Sequence, residues 1–334
     1  MPDASSAGSP LALPNLDAIR AAHARIAPHV HRTPVFTCAA LDAETGARLF
    51  FKCENFQRVG AFKARGACNA VFSLADDDAR RGVVTHSSGN HGAALAYAAQ
   101  RRGIPAWVVM PENAPRVKQD NVRRFGATIR FCAPTISARA AACAEVQRAT
   151  GAELVHPFDD ERVIAGQGTA ALELLLQAAD LDAVVAPCGG GGLLSGTAIA
   201  VTSIAPGTRV YGAEPRNAGD AAASLHSGTI EPLPPTSTIA DGLRTSLAPR
   251  TFAALRAHVA EIATCSEDAI VEAMRMTWER MKIVIEPSAA VPLACLIERT
   301  LDVAGARVGI ILSGGNVDLD RLPWQDARPA SAGG

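Results

Sequence analysis

The stretch 184–199, VVAPCGGGGLLSGTAI, limits what this chain can fold into more than any other. A short β-branched run closes at Pro187, the glycines Gly189, Gly190, Gly191 and Gly192 follow, and a small-residue helical pattern begins at Leu193. Strand, glycine loop and helix in that order make a cradle for phosphate. Glycines let successive N–H groups turn toward one point, and the helix N-terminus behind them adds roughly half a positive charge. A dinucleotide is the first rival ligand, because Gly190, Gly192 and the acid Glu214 imitate a Rossmann fingerprint, but Ser195 stands where the last glycine belongs. No lysine follows the glycines in the Gly-Lys-Ser/Thr arrangement of a nucleoside triphosphate loop. The remaining reading is a plain turn, for which such a glycine run is entropically costly.

At 334 residues the chain can fill two cores. Its 48% hydrophobic and 19% charged content is that of a globular protein, and a formal charge of -1 offers no electrostatic reason to bind nucleic acid. No apolar run reaches bilayer length, so no membrane partner is expected. Cys38, Cys53, Cys68, Cys132, Cys143, Cys188, Cys265 and Cys295 are scattered without a C-x-x-C pair, which reads as reduced, mostly buried thiols of a cytoplasmic protein. The first dozen residues lack the basic start and apolar centre of a signal peptide. Both ends, 1–13 and 325–334, are rich in Ala, Ser, Pro and Gly and are expected to be disordered.

Between the ends, strand and helix signals alternate. A helix over 16–27 capped by Asn15 and a strand over 49–53 lead to NFQRVGAFKARGACN, 55–69. Here Lys63 stands among apolar and small neighbours. It reads either as an exposed helix lysine or as a buried one whose lowered pKa makes it a nucleophile. A strand over 82–85 empties into HSSGNHG, 86–92, ahead of a helix over 93–100. The hydroxyls and amide there suit a carboxylate at a helix N-terminus, or serve only as caps. Strands over 104–110, 127–132 and 153–155 interleave with helices over 115–125, 137–149 and 163–179, which leads into the glycine cradle. A strand over 209–213 delivers Glu214, with Asp220 shortly after; the pair holds a divalent cation or is merely solvated. Helices over 268–281 and 291–299 precede a last strand, 307–312, that releases Ser313-Gly314-Gly315-Asn316. The alternation predicts parallel sheets with helices on both faces, and ligands at the strands' C-terminal edge. We expect a small domain over 82–159 and a large one assembled from 14–81 and 160–324.

AFKARGA around Lys63, SSGNHG at 87–92, GGGG at 189–192 and SGGN at 313–316 together resemble, in order and spacing, the pyridoxal-phosphate enzymes of fold type II. The resemblance is specifically to the serine/threonine dehydratase family, in its serine racemase and threo-3-hydroxyaspartate ammonia-lyase branch, and runs from about 16 to 319. It implies an α/β fold like the tryptophan synthase β subunit, with two open, twisted, mainly parallel sheets flanked by helices. It also implies that Lys63 holds the cofactor as a Schiff base and moves the Cα proton. Phe62 would pack on the ring, Asn90 would bond its phenolic oxygen, Gly189 to Gly192 would bind its phosphate and Ser313 would face the pyridine nitrogen. Ser87, Asn90 and His91 would grip the substrate carboxylate.

A hydroxyl at the pyridine nitrogen, where other enzymes use a carboxylate, makes the ring a weaker electron sink and favours prompt loss of a β-hydroxyl. The expected activity is therefore elimination from a β-hydroxy amino acid (serine, threonine or threo-3-hydroxyaspartate) to a 2-keto acid and ammonia. The alternatives are a racemase with Lys63 and Ser88 as its two bases, and a dehydratase for a bulkier substrate such as phenylserine. Ala61 replaces the family's frequent serine before Phe-Lys, a variant of the racemase and hydroxyaspartate branch. Arg139, with Thr245, matches a position that can reach a second acidic group; it reads equally as a surface helix arginine. Glu214, the carbonyl of Ala218 and Asp220 match the branch's divalent cation site, for which magnesium is expected. A homodimer is implied, and with no regulatory segment after Leu319, feedback control of the biosynthetic threonine dehydratase kind is not expected.

Overall fold

The strand leading to the cradle, Ala183–Pro187, is buried at every position, as a strand must be when helices cover both faces of its sheet. In the computed structural model, which describes residues 11–87, 89–114 and 116–325, the strands are β1 (Val35–Phe36), β2 (Arg48–Cys53), β3 (Val83–His86), β4 (Ala106–Pro111), β5 (Thr128–Cys132), β6 (Glu153–Leu154), β7 (Ala183–Pro187), β8 (Arg209–Pro215), β9 (Glu261–Cys265) and β10 (Arg307–Leu312). They form a six-stranded sheet in the order β1-β2-β10-β7-β8-β9 and a four-stranded sheet in the order β5-β4-β3-β6. Every pairing is parallel except that of β1 with β2. This is the expected pair of mainly parallel sheets.

The order of the larger sheet brings remote segments together. Ile310 of β10 stands between Phe51 of β2 and Val185 of β7. The three strands run parallel, so the loops after them open at one edge: 54–62 leading to Lys63, 313–316, and 188–191. A lone antiparallel bridge between Ala61 and Gly314 and a hydrogen bond from Phe62 N–H to Ser313 O at 3.0 Å tie the first two loops together. The smaller sheet delivers its own loop, 87–89, from the C-terminal end of β3.

The helix that begins with Lys63, Lys63–Phe72, is buried along most of its length and anchored by charge as well as by packing. Arg65 is fully buried, with Nε 2.7 Å from Glu54 and Nη2 2.8 Å from Glu173, while Lys52 Nζ lies 2.6 Å from the same Glu173. Four ionised groups removed from water in this way fix the helix against β2 and the helix Glu161–Gln177, because any displacement strands a charge. On its other side Ala67, Cys68 and Val71 share a core with Ala94, Leu95 and Ala98 of the helix Asn90–Arg102.

Most of the expected elements lie within a few residues of their places; Asn15 caps the helix Leu16–Ile26 by accepting from Ala18 N–H at 2.9 Å. The helices Ala39–Thr45, Asp76–Arg80, Asp220–Ser227 and Pro249–His258, and β9, carry too weak a periodicity to be read in advance. The N-terminal segment engages the fold earlier than expected: Arg250 donates to Ala12 O, and Leu13 packs on the core under the cradle. Residues 1–10 and 326–334 of the segments expected to be disordered lie outside the described residues. All eight cysteines are free and all but Cys38 are buried. Among the described residues, no helix is long and apolar enough to cross a membrane.

Candidate active site

Lys63 opens its helix with the ammonium directed at the carbonyl of Pro157, 2.8 Å away, and 5.0 Å from the centre of the Phe62 ring. Burial lowers its pKa to about 8, so a substantial fraction of the amine is free just above neutrality. The chain offers this lysine a backbone acceptor and an aromatic face, which is the environment of a nucleophilic amine more than of a structural ion pair.

The glycine cradle faces the same space. Gly191 adopts φ +85°, a left-handed conformation open to glycine, and the helix Gly192–Ile204 that follows has no side-chain cap. Among the described residues, the first amide after Gly191 to find a backbone acceptor is that of Ser195, on Gly191 O at 2.8 Å. At Gly190 a Cβ would lie 2.4 Å from the ring of Phe158, so the loop carrying Pro157 and Phe158 roofs the cradle and bare backbone is the only fit. Open amides at a helix N-terminus have the chemistry of an anion site.

Between the two sheets, Asn90 is held by both neighbours. Its Nδ2 donates to Glu286 Oε1 and Oε2 at 3.0 and 3.2 Å, and its Oδ1 accepts from Asn316 Nδ2 at 2.9 Å. Burial pushes Glu286 up to about 7, against the lowering effect of the Asn90 hydrogen bond. Ser87 Oγ accepts from Gly89 N–H at 3.2 Å in a local turn ahead of the helix Asn90–Arg102, whose N-terminus has no side-chain cap. His91 has its ring inside: it is buried, Nε2 sits 3.2 Å from Val155 O, and burial first and Lys63 second hold its pKa well below the ordinary value. Its place in the first turn leaves the backbone N–H, rather than the ring, for a substrate carboxylate. Ser88 lies outside the described residues.

His156 stands edge-on to His86 with centroids 5.3 Å apart, and its pKa falls to about 4 through burial, then His86 and Lys63. His86 is likewise lowered, by burial and then by the nearby charge of Arg139. Arg139 lies on the helix Ile136–Thr150, which packs against the smaller sheet, and its buried Nε has no hydrogen-bond partner among the described residues. Thr245 is half-buried and its N–H donates to Leu243 O; no hydrogen bond links it to Arg139. Ser313 is buried at the end of β10.

Glu214 and Asp220 meet behind the cradle at the end of β8. Glu214 accepts from Ala222 N–H at 2.9 Å, yet burial raises its pKa well above the carboxylate range, with Asp220 adding to the effect. Both oxygens of Asp220 are buried and, apart from the nearby Ser246 side chain, lack a partner among the described residues; burial raises its pKa to about 6. Ala218, on the turn between them, is also buried. No group of three His, Cys, Asp or Glu side chains gathers here among the described residues. Any cation would lean on two carboxylates, a carbonyl and water, an oxygen set suited to a hard ion.

Pyridoxal phosphate fits what is present: an amine of lowered pKa, a cradle that a Cβ would fill, and a buried hydroxyl at the adjoining strand end. Glu286, Pro157 and Phe158 belong to the site without having been assigned roles in the sequence. Glu286 is one carboxylate among many in a linear reading, and its burial exists only once Gly314 and Asn90 close over it.

The family profile described as "Pyridoxal-phosphate dependent enzyme" matches residues 26–314. The chain is 53% identical over 312 residues to a beta-hydroxyaspartate dehydratase of Paracoccus denitrificans (strain Pd 1222), covering 93% of this chain and 99% of that protein. It is 49% identical over 316 residues to a serine racemase of Oryza sativa subsp. indica, covering 93% of each. Among solved structures, maize serine racemase superposes with a TM-score of 0.91 at 47% identity, over 92% of this chain and 95% of that one. A T.th. threonine deaminase gives 0.87 at 46%, over 91% and 99%. With the family profile spanning most of the chain and a relative 53% identical over 93% of it, the chain belongs to the family of pyridoxal-phosphate dependent enzymes.

Proposed function

We propose that this protein removes water and ammonia from a β-hydroxy amino acid, with threo-3-hydroxyaspartate as the preferred substrate over serine and threonine. The observation that carries the reaction is the Lys63 amine, of pKa about 8, beside an uncapped glycine cradle. The observation that favours the acidic substrate is Arg139, whose buried Nε has no partner and which lies beside His86, one residue from the Ser87 loop. A fixed guanidinium prefers a carboxylate, and the dehydratase relative is named for that substrate.

Gly189 to Gly192 would hold the cofactor phosphate, Phe62 would pack on the ring, Ser313 would face its nitrogen, and Asn90 would donate to its phenolic oxygen. The cofactor, when bound, supplies a sink for the electron pair left at Cα. Ser87, Asn90 and His91 orient the α-carboxylate through loop and helix N–H groups. Lys63 Nζ takes the Cα proton and returns it to the β-hydroxyl, which leaves as water, and the released enamine tautomerises to an imine that takes up water to give a keto acid and ammonia. The neutral state of His86 and His156 keeps them from competing with Arg139 for the second carboxylate. Glu214, Ala218 and Asp220 hold a magnesium ion that offsets the mutual repulsion of the two buried carboxylates. The same reading takes 82–159 as a small domain against 14–81 and 160–324, with a homodimer in the cytoplasm as the working form.

A second reading, racemisation with Lys63 and Ser88 as opposed bases, draws on the serine racemase relatives. One assay separates the two: L-serine, L-threonine and L-threo-3-hydroxyaspartate offered side by side with pyridoxal phosphate and magnesium, reading keto acid and product chirality. Keto acid chiefly from hydroxyaspartate, lost in Lys63→Ala and weakened selectively in Arg139→Ala, is expected. Accumulation of D-amino acid with little keto acid, abolished by Ser88→Ala, would favour the racemase. No turnover of any of the three refutes both.

A further inference from the structure

Asn316 closes the SGGN loop, and the functional reading above leaves it without a task. Its Nδ2 carries two hydrogens and has two acceptors in reach: the carbonyl of Val59 at 2.8 Å and Asn90 Oδ1 at 2.9 Å. The Val59 carbonyl can only accept, so the Asn316 amide is oriented with its nitrogen inward. That orientation makes Asn90 Oδ1 an acceptor, which turns Asn90 Nδ2 the other way, onto the Glu286 carboxyl at 3.0 and 3.2 Å. The polarity of the run is therefore set from the Val59 end and agrees with an acceptor at the Glu286 end. Val59 is itself unusual, a β-branched residue at φ 56° in the turn that leads to Lys63.

We infer that Asn316 is a positioning residue that locks the Asn90 amide as a hydrogen-bond donor toward the cofactor's phenolic oxygen. One Asn90 Nδ2 hydrogen goes to Glu286, and the other is kept facing the pocket because the oxygen of the same amide is tied to Asn316. Without that tie the amide can turn, and an acceptor facing a phenolate repels it. The inference rests on the assignment of Asn90 to the cofactor.

The test is titration of the cofactor-free protein with pyridoxal phosphate, reading the dissociation constant and the position of the visible absorption band, in wild type, Asn316→Ala and Asn316→Asp. Loss of one oriented hydrogen bond weakens binding about three- to tenfold in Asn316→Ala. Asn316→Asp, which presents oxygens to both Val59 O and Asn90 Oδ1, reverses the amide, weakens binding further and shifts the band. If Asn316 served only to hold the strained turn, adding Val59→Gly to Asn316→Ala would restore wild-type binding; that restoration overturns the inference, and persistence of the defect supports it. Wild-type affinity and spectrum in both single variants overturn it alone. A wild type that takes up no pyridoxal phosphate overturns the cofactor reading and this inference together.

Discussion

Replacing Glu286 with glutamine should change how stability depends on pH far more than it changes the structure. The glutamine keeps one oxygen for Asn90 Nδ2, so one of the two contacts at 3.0 and 3.2 Å is retained while its NH2 replaces the other oxygen. What disappears is a titration. Glu286 has an ordinary value of 4.5 and is raised to about 7 by burial. The native state thus prefers the protonated acid, and the group's contribution is fully present below pH 4.5 and is lost as pH rises through about 7. At 1.36 kcal/mol per pH unit, the wild type should lose about 3 kcal/mol relative to Glu286→Gln across that window, with little further change above it. Denaturant unfolding of both proteins at intervals between pH 4.5 and 8 measures the difference directly, and groups common to both cancel. Parallel profiles, with a constant gap between the two proteins, would refute the claim that Glu286 is buried as an acid.

Three further outcomes follow from the same geometry. Gly190→Ala places a methyl 2.4 Å from the Phe158 ring and should cost about 1–3 kcal/mol of cofactor affinity, partly recovered by adding Phe158→Ala, as measured by pyridoxal phosphate titration. Arg65→Met leaves Glu54 buried with only the Thr33 hydroxyl, and Glu173 with Lys52 and His23, and should lower unfolding free energy by about 3–5 kcal/mol, with partial recovery on adding Glu54→Gln. Prolonged chelation should lower the thermal midpoint of wild type and leave that of a Glu214→Gln, Asp220→Asn variant unmoved; equal responses would remove the cation from this site.

The loops were legible because their chemistry is local. A glycine run between a β-branched strand and a small-residue helix announces open amides wherever it occurs, and Gly189 to Gly192 ended up with those amides uncapped. Lys63 was legible as a residue and undecided as a role, since a lysine among small neighbours is exposed or buried according to what packs over it. The loop holding Pro157 and Phe158, 94 residues away along the chain, supplies the packing that half-buries its side chain. Arg139 was balanced between surface and site for the same reason, and its nearness to His86 comes from a helix laid against the smaller sheet.

Alternating strand and helix patterns with apolar runs carry fold class, because two-faced burial demands parallel sheets covered on both sides, and motif chemistry carries the cofactor class. Strand order and long-range closure lie beyond any linear pattern. That β10 lies between β2 and β7, so that Lys63, Ser313 and the glycine cradle share one edge, depends on pairings between strands more than a hundred residues apart. The same closure buries Glu286 beside Asn90 and raises its pKa, since desolvation belongs to a place in the fold and not to a residue type.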